Sequence, residues 1–403
     1  MLELKVVLIT VIPPHYHTSD ALKDLAELQQ LVNTYGGIDI VRIIQHRTAP
    51  DKATFIGSGK VQELKQIIAN PQGSRNPEGS INLIIIDSIV SSSQLFNLTQ
   101  ALSSANPYIQ VWDRIDLILN IFDKHARSAE AKLQIEIARI RHMKFRIYGL
   151  GGTLLSRQAG GIGTRGIGET NIERMRRHFK KQIKKKKEEL EKLTLHRQRQ
   201  LLRRKENGIK TISIIGYTNA GKTCLFNLLT GKKNEVKDAL FVTLDSSVGS
   251  LTRNNPQGSW NPEGLVDVVV SDTIGFIQNL PLTLIESFKS TLLETLDADI
   301  ILHIVDIADH KMEQKIKTVQ EIISDLGISG KKQIILFNKI DKLNGNYYEL
   351  ITSLKNQYKI YSPKFISVKR LIGIDDLLKS IKLSLKGESS FAKASEGQVE
   401  SPT

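Results

Sequence analysis

Two hydrophobic rhythms alternate along this chain. Continuous apolar, largely β-branched runs at 5–12, 38–45, 81–86, 211–215, 266–270 (interrupted by Asp267), 333–337 and 364–366 predict buried strands. Between them, apolar residues return at three- and four-residue steps, which predicts helices over 21–33, 91–102, 113–143, 169–205 and 224–229. Ser19 is placed to cap the first helix and Gly36-Gly37 to stop it. Over 113–143 the stripe is Ile115, Ile118, Leu119, Phe122, Ala126, Ala129, Leu133, Ile137 and Ile140, and it predicts one long helix. Over 169–205 it is Ile172, Met175, Phe179, Ile183, Leu190 and Leu193, which predicts a charged helix with one buried seam. Joined by a Gly-rich loop, these two helices are expected to pack antiparallel. The alternation of strand and helix on either side predicts an α/β fold with mostly parallel sheets. The expected organisation is an N-terminal α/β subdomain at 1–110 and a helical hairpin at 111–207. A second α/β domain, with helices on both faces of its sheet, follows at 208–386, and a tail of disordered composition runs from 387.

Composition changes this picture little, and charge changes it more. Of 403 residues, 40% are hydrophobic and 24% charged, ordinary values for globular chains. Cys224 is the single cysteine, which excludes a disulfide framework and a thiolate metal cluster within the chain. It follows a helix start and reads as core packing. The apolar opening run carries a lysine and reads as a first strand rather than a signal segment. No stretch approaches the ~18–20 apolar residues of a membrane span. The expectation is a cytoplasmic monomer. The formal net charge is +14, and fifteen Lys/Arg against three Glu lie between Arg174 and Lys205. Such a stripe is the footprint of a phosphate-rich partner, and equally the composition of a solvated helix face.

The chemistry is concentrated in one stretch. Residues 216–223, GYTNAGKT, match the phosphate-loop pattern and sit between a predicted strand and a predicted helix. Gly216 and Gly221 permit a turn whose N–H groups face phosphate oxygens, and Tyr217, Thr218, Asn219 and Ala220 fill the positions between them. Lys222 supplies charge for the β- and γ-phosphates, and Thr223 a hydroxyl for Mg²⁺; Cys224 completes the segment. Thr243, preceded by Phe241 and Val242, falls where its hydroxyl and carbonyl can close on metal and γ-phosphate. DTIG at 272–275 places Asp272 to reach Mg²⁺ through a water. It continues through Thr273 and Ile274 to Gly275, whose N–H can approach the γ-phosphate.

NKID at 338–341 selects the base. Asp341 offers two acceptors that fit the N1–H and exocyclic amine of guanine. Adenine would leave the carboxylate unpaired, at about 1–3 kcal/mol. Asn338 and Lys339 are expected to tie this loop to the phosphate loop, and Ser367, Val368 and Lys369 to complete the base pocket. Phe276 follows DTIG and cannot orient an attacking water, so that role falls to backbone, a cation or a partner. Asn219 is a candidate ligand for K⁺ beside the phosphates, or simply a residue tolerant of the loop's dihedrals.

Other signals carry less. Gly161-x-Gly163-x-x-Gly166 has the letters of a dinucleotide fingerprint, but no strand precedes it. Its glycines suit a loop that approaches RNA, with Arg157, Arg165, Arg176 and Arg177 as contacts, or else a connector. GSGK at 57–60 reads as a turn into a helix. The repeat NPQGSRNPEGS and NPQGSWNPEGL, at 70–80 and 255–265, reads as two surface insertions, with Trp260 incidental.

The strings GYTNAGKTCLFNLLT, LFVTLD, DTIGFIQNLP and LIESFKSTLLE resemble the HflX family of ribosome-associated GTPases. So do FIGSGKVQEL at 55–64, DRIDLILNIFDKHARSAEAKLQIEIARI at 113–140 and GIGTRGIGETNIERMRR at 161–177. The likeness spans about 38–386. It implies a P-loop GTPase domain and a cytoplasmic enzyme that binds GTP and GDP, the large ribosomal subunit and its rRNA, and separates stalled ribosomes. Thr223 stands where the family usually has serine, Asp245-Ser246-Ser247 where it has Asp-Pro-Thr, and Val368 where it has alanine. None of these removes a phosphate or metal group. Two rival readings stay open at this point: a nucleotide-binding RNA scaffold without significant hydrolysis, and an ATP-dependent RNA remodeller.

Overall fold

The computed structural model describes residues 4–69, 81–150, 165–234, 247–251, 268–273, 275–276, 293–343 and 347–394. The chain forms two compact units, Met1–Glu191 and Lys192–Thr403, and the division falls inside one long helix.

The first unit follows its strand–helix rhythm: β1 (Leu4–Ile12), α1 (Thr18–Tyr35), β2 (Gly37–His46), α2 (Ser58–Ala69), β3 (Leu83–Ile86), α3 (Ser92–Leu102) and β4 (Gln110–Asp113). The strands lie in the order β2-β1-β3-β4, all parallel. β3 is buried along its whole length, which is why it reads as an unbroken apolar run. α1 begins one residue before Ser19, so that serine caps nothing; it ends as expected at Gly36, whose φ of 97° lets its N–H reach Val32 and Asn33 carbonyls. Ser91 caps α3 in a reciprocal box with Gln94.

The single helix expected over 113–143 is two helices. Asp113 ends a strand and caps α4 (Arg114–His125); α5 (Ala129–Leu150) follows. Ala126 is extended, with ψ of 117°, and Ser128 Oγ accepts from the Ala131 N–H at 3.1 Å. That hydroxyl is a helix start inside a continuous apolar stripe. α6 (Arg165–Glu206) is the long basic helix. Its expected buried seam is a half-buried one: Phe179, Ile183 and Leu190 are partly covered, while Met175 and Leu193 are exposed.

The second unit contains β5 (Lys210–Gly216), α7 (Lys222–Thr230), β6 (Ser247–Ser250), β7 (Val268–Asp272), α8 (Leu293–Asp297), β8 (Ile300–Asp306), α9 (Met312–Asp325), β9 (Lys332–Asn338), α10 (Tyr348–Gln357), β10 (Lys364–Phe365) and α11 (Ile374–Ala394). α11 runs on through Gly387, where composition suggested a tail. The sheet order is β10-β9-β8-β5-β7-β6, parallel except for β6 against β7. Apolar clusters cover it on both faces. Ile212, Ile214, Leu225, Phe226, Leu302 and Leu377 belong to one, and Ile215, Ile301, Val319 and Ile323 to another. β5 is flanked by β7 on one side and β8 on the other. A parallel sheet binds its ligand at the carboxyl ends of strands where the order reverses, and here those ends are Gly216, Asp272, Asp306 and Asn338.

Candidate functional site

The loop between β5 and α7 is shaped by what cannot fit. Gly216 has φ of 152°, and a Cβ there would lie 2.3 Å from the Ile304 carbonyl oxygen. Gly221 has φ of 105°, and a Cβ would meet Asn338 Nδ2 at 2.4 Å. Between them Asn219 is left-handed at φ 61°, a conformation asparagine tolerates better than most residues. The segment after β7 pairs with this loop: Phe276 donates its N–H to Gly216 O at 3.1 Å and accepts from the Thr218 N–H at 2.8 Å. Phe276 itself is buried beside Ile215 and Ile301, so it anchors the segment through packing. A Cβ on Gly275 would lie 2.7 Å from Thr218 Cγ2 and 2.8 Å from Lys222 Nζ. The backbone at Gly275 therefore rests directly on the lysine head.

Two opposite charges are buried here. Lys222, 7% exposed, donates to the Tyr217 carbonyl at 2.8 Å, and burial pushes its pKa down to about 8 against the pull of Asp272. Asp272 is fully buried, and burial pushes its carboxyl up to about 6, opposed by Lys222 and by Thr223. Thr223 donates its hydroxyl to Asp272 Oδ2 at 2.8 Å, while Asp272 Oδ1 is buried with no hydrogen-bond partner. Thr218 Oγ1 is in the same condition. Buried polar atoms without partners are uncommon, and a carboxylate oxygen beside a hydroxyl is the hard-oxygen set that Mg²⁺ takes. The residues present fit that ion.

The base loop is tied to the phosphate loop through two adjacent side chains, Asn338 and Lys339. Asn338 donates to Ala220 O at 2.9 Å and accepts from the Val368 N–H at 3.1 Å. Lys339, left-handed at φ 66°, donates to Asn219 O at 2.8 Å and pairs with Asp306 at 2.7 Å. Ser367 donates to Asp341 Oδ1 at 2.5 Å, and that bond holds the exposed carboxyl below its usual range. Lys369 lies exposed beside it and adds to the same shift.

The structure thus brings Gly216, Tyr217, Thr218, Asn219, Ala220, Gly221, Lys222, Thr223, Asp272, Gly275, Asn338, Lys339, Asp341, Ser367, Val368 and Lys369 to one end of the sheet. Thr273 differs from expectation: its hydroxyl is turned inward onto Ile214 O at 2.8 Å, where it braces β7 against β5. Cys224 is half-buried, and burial raises its thiol pKa. Tyr217 is buried under the Lys315 ammonium, 4.4 Å from its ring. Phe241, Val242, Thr243, Ile274 and Arg157 lie outside the described residues, as do both copies of the NPQGS repeat. Arg165 opens α6, and Arg176 and Arg177 are exposed along it.

Two residues beside the site escaped the sequence reading, together with β8, the strand that carries both and that the predicted runs omit. Asp306 closes β8 as Asp272 closes β7, a signal that was visible as an acidic end to an apolar run. His303, opposite Ile215, is buried; burial first and the Lys222 charge second push its pKa down to about 3, so it is neutral. No helix among the described residues is long and apolar enough to cross a membrane.

Comparison with known proteins agrees with this geometry. Three family models match in succession: "GTP-binding GTPase N-terminal" over 22–123, "GTP-binding GTPase Middle Region" over 125–204, and "50S ribosome-binding GTPase" over 211–339. The GTPase HflX of Caldanaerobacter subterraneus subsp. tengcongensis is 42% identical over 365 residues, covering 91% of this chain and 78% of its own. That of Escherichia coli K12 is 32% identical over 375 residues, covering 93% and 82%. Among solved structures, the crystal structure of SsGBP with GDP gives a TM-score of 0.51 at 25% identity, over 96% of this chain and 100% of that one.

Proposed function

The chain belongs to the HflX family of GTPases, and from that premise we propose that it is a GTP-driven switch acting, as a single chain, on the large ribosomal subunit. The observation that carries this reading is the backbone of Gly275 seated against the buried Lys222 ammonium. In the proposed cycle, Lys222 turns from the Tyr217 carbonyl to the β- and γ-phosphates, and the Gly275 N–H meets the γ-phosphate. Thr223 and Asp272, with Thr243, would hold Mg²⁺, which neutralises charge on the phosphate oxygens. Loss of the γ-phosphate frees the loop at Gly275, and the switch relaxes. Asp341, held ionised by Ser367, selects guanine over adenine. Val368, through its N–H on Asn338, fixes that loop to the phosphate loop.

Phe276 is committed to the core, so the attacking water is oriented by backbone, by K⁺ at Asn219, or by the ribosome. Equal turnover in potassium and sodium buffers would eliminate the K⁺ role. The basic face of α6, with Arg157, Arg165, Arg176 and Arg177, supplies rRNA contacts, and nucleotide state tunes that affinity toward splitting of stalled ribosomes. The test is cosedimentation with large ribosomal subunits. The expected result is binding in a non-hydrolysable GTP analogue and release in GDP; equal binding in both would contradict the switch.

A further inference from the structure

Far along the chain from the nucleotide site, in the first unit, three side chains converge where β4 passes into α4 and α5 packs beside it. Asp113 and Asp116 form a reciprocal cap on α4. Asp113 Oδ1 accepts from the Asp116 N–H at 2.9 Å, and Asp116 Oδ2 accepts from the Asp113 N–H at 3.1 Å. Each carboxylate thereby spends one oxygen on backbone and turns the other toward the same point. His142 Nε2 lies 3.2 Å from Asp113 Oδ2 and 3.6 Å from Asp116 Oδ1. The three ligand atoms all lie within 4.8 Å of one another. Asp113 is 0% exposed and His142 8%, and the buried Nε2 is aligned for a hydrogen bond with neither carboxylate.

The 3.2 Å separation alone also fits a donor and acceptor, but Nε2 is not oriented for that bond, and both distances fit ligands of a shared ion. With Zn–N and Zn–O bonds of about 2.0–2.2 Å, tetrahedral angles set neighbouring ligand atoms about 3.3–3.6 Å apart. The observed spacings of 3.2 and 3.6 Å span that edge length. We propose that Asp113, Asp116 and His142 bind one divalent transition cation of the zinc class, which clips α5 to the start of α4. An imidazole among the ligands favours this class over Mg²⁺ or Ca²⁺. The backbone N–H groups on the remaining oxygens hold the carboxylates in place, as outer contacts do in metal sites.

The experiment is a Co²⁺ titration of the full-length protein in excess Mg²⁺ and GDP, which keep the phosphate-loop site filled. The expected result is one equivalent bound, with the visible absorption of four-coordinate cobalt, displaced by Zn²⁺ and insensitive to further Mg²⁺. His142→Phe should abolish the band. Asp116→Asn, which keeps an oxygen for the cap, should weaken binding by roughly tenfold or more. GDP affinity, read in parallel, should stay constant in both variants and so report an intact fold. A wild-type protein with no saturable band overturns the proposal, as does a band that survives both substitutions. Either result makes the cluster a plain imidazole–carboxylate contact, and neither touches the reading of the nucleotide site.

Discussion

Asp272 and Lys222 are held in states that a ligand-free protein does not favour. A carboxyl raised from its usual ~4 to about 6 destabilises the fold once ionised. Its folded pKa is above the unfolded one, so the favourable contribution is present below about pH 4 and lost as pH rises through 6. Asp272→Asn should therefore make the nucleotide-free protein more stable at pH 7.5, by about 2–3 kcal/mol. The gap should shrink to nothing near pH 4, read as melting temperature against pH. The same variant should lose Mg²⁺-dependent GTP turnover by roughly a hundredfold or more, the scale of removing a fixed electrostatic contact. A wild type more stable than the variant at pH 7.5 would refute the burial cost. At the base, Asp341→Asn should cost GTP about 1–3 kcal/mol of affinity while leaving ATP binding unchanged, by competition titration. Undiminished preference for GTP would remove Asp341 from that role.

At the scale of elements, the site is four strand ends held in register by a few side-chain bonds. Asn338 joins β9 to the phosphate loop and to the loop at Val368. Asn338→Ala breaks both bonds, and nucleotide affinity should fall about tenfold or more with the far-ultraviolet spectrum unchanged. Affinity within twofold of wild type would show that the loops hold themselves. β5 and β9 were legible because a central strand buried on both faces reads as a continuous apolar run, whereas β8 was missed because His303 interrupts its IILHIVD. The phosphate loop was legible because Gly216 and Gly221 occupy backbone positions that exclude a side chain. Other elements were hidden for stated reasons. β4 is a four-residue edge strand of mixed polarity, so its QVWD gives no alternation. The break before α5 was masked because Ala126 and Ala129 keep helical spacing across it, while the Ser128 hydroxyl starts a new helix. The turn of Thr273 away from the site could not be read from a motif letter, since only its bond to Ile214 reveals it.

For the whole molecule, charge is the property that joins the nucleotide reading to a partner. Most of the +14 excess sits on α6, whose Lys184, Lys185 and Lys187 are exposed. Replacing these three with Glu should weaken binding to large ribosomal subunits and flatten its dependence on salt, with basal GTP turnover unchanged. Binding that ignores the substitution would assign the partner surface elsewhere. The division of the chain within this helix leaves each unit with its own sheet and its own apolar core. The most direct single measurement is steady-state phosphate release from GTP by the purified chain, with and without large ribosomal subunits, against Lys222→Ala. The account predicts a low intrinsic rate that climbs as subunits are added and is absent in the variant. A rate indifferent to subunits, or one that persists without Lys222, would contradict it.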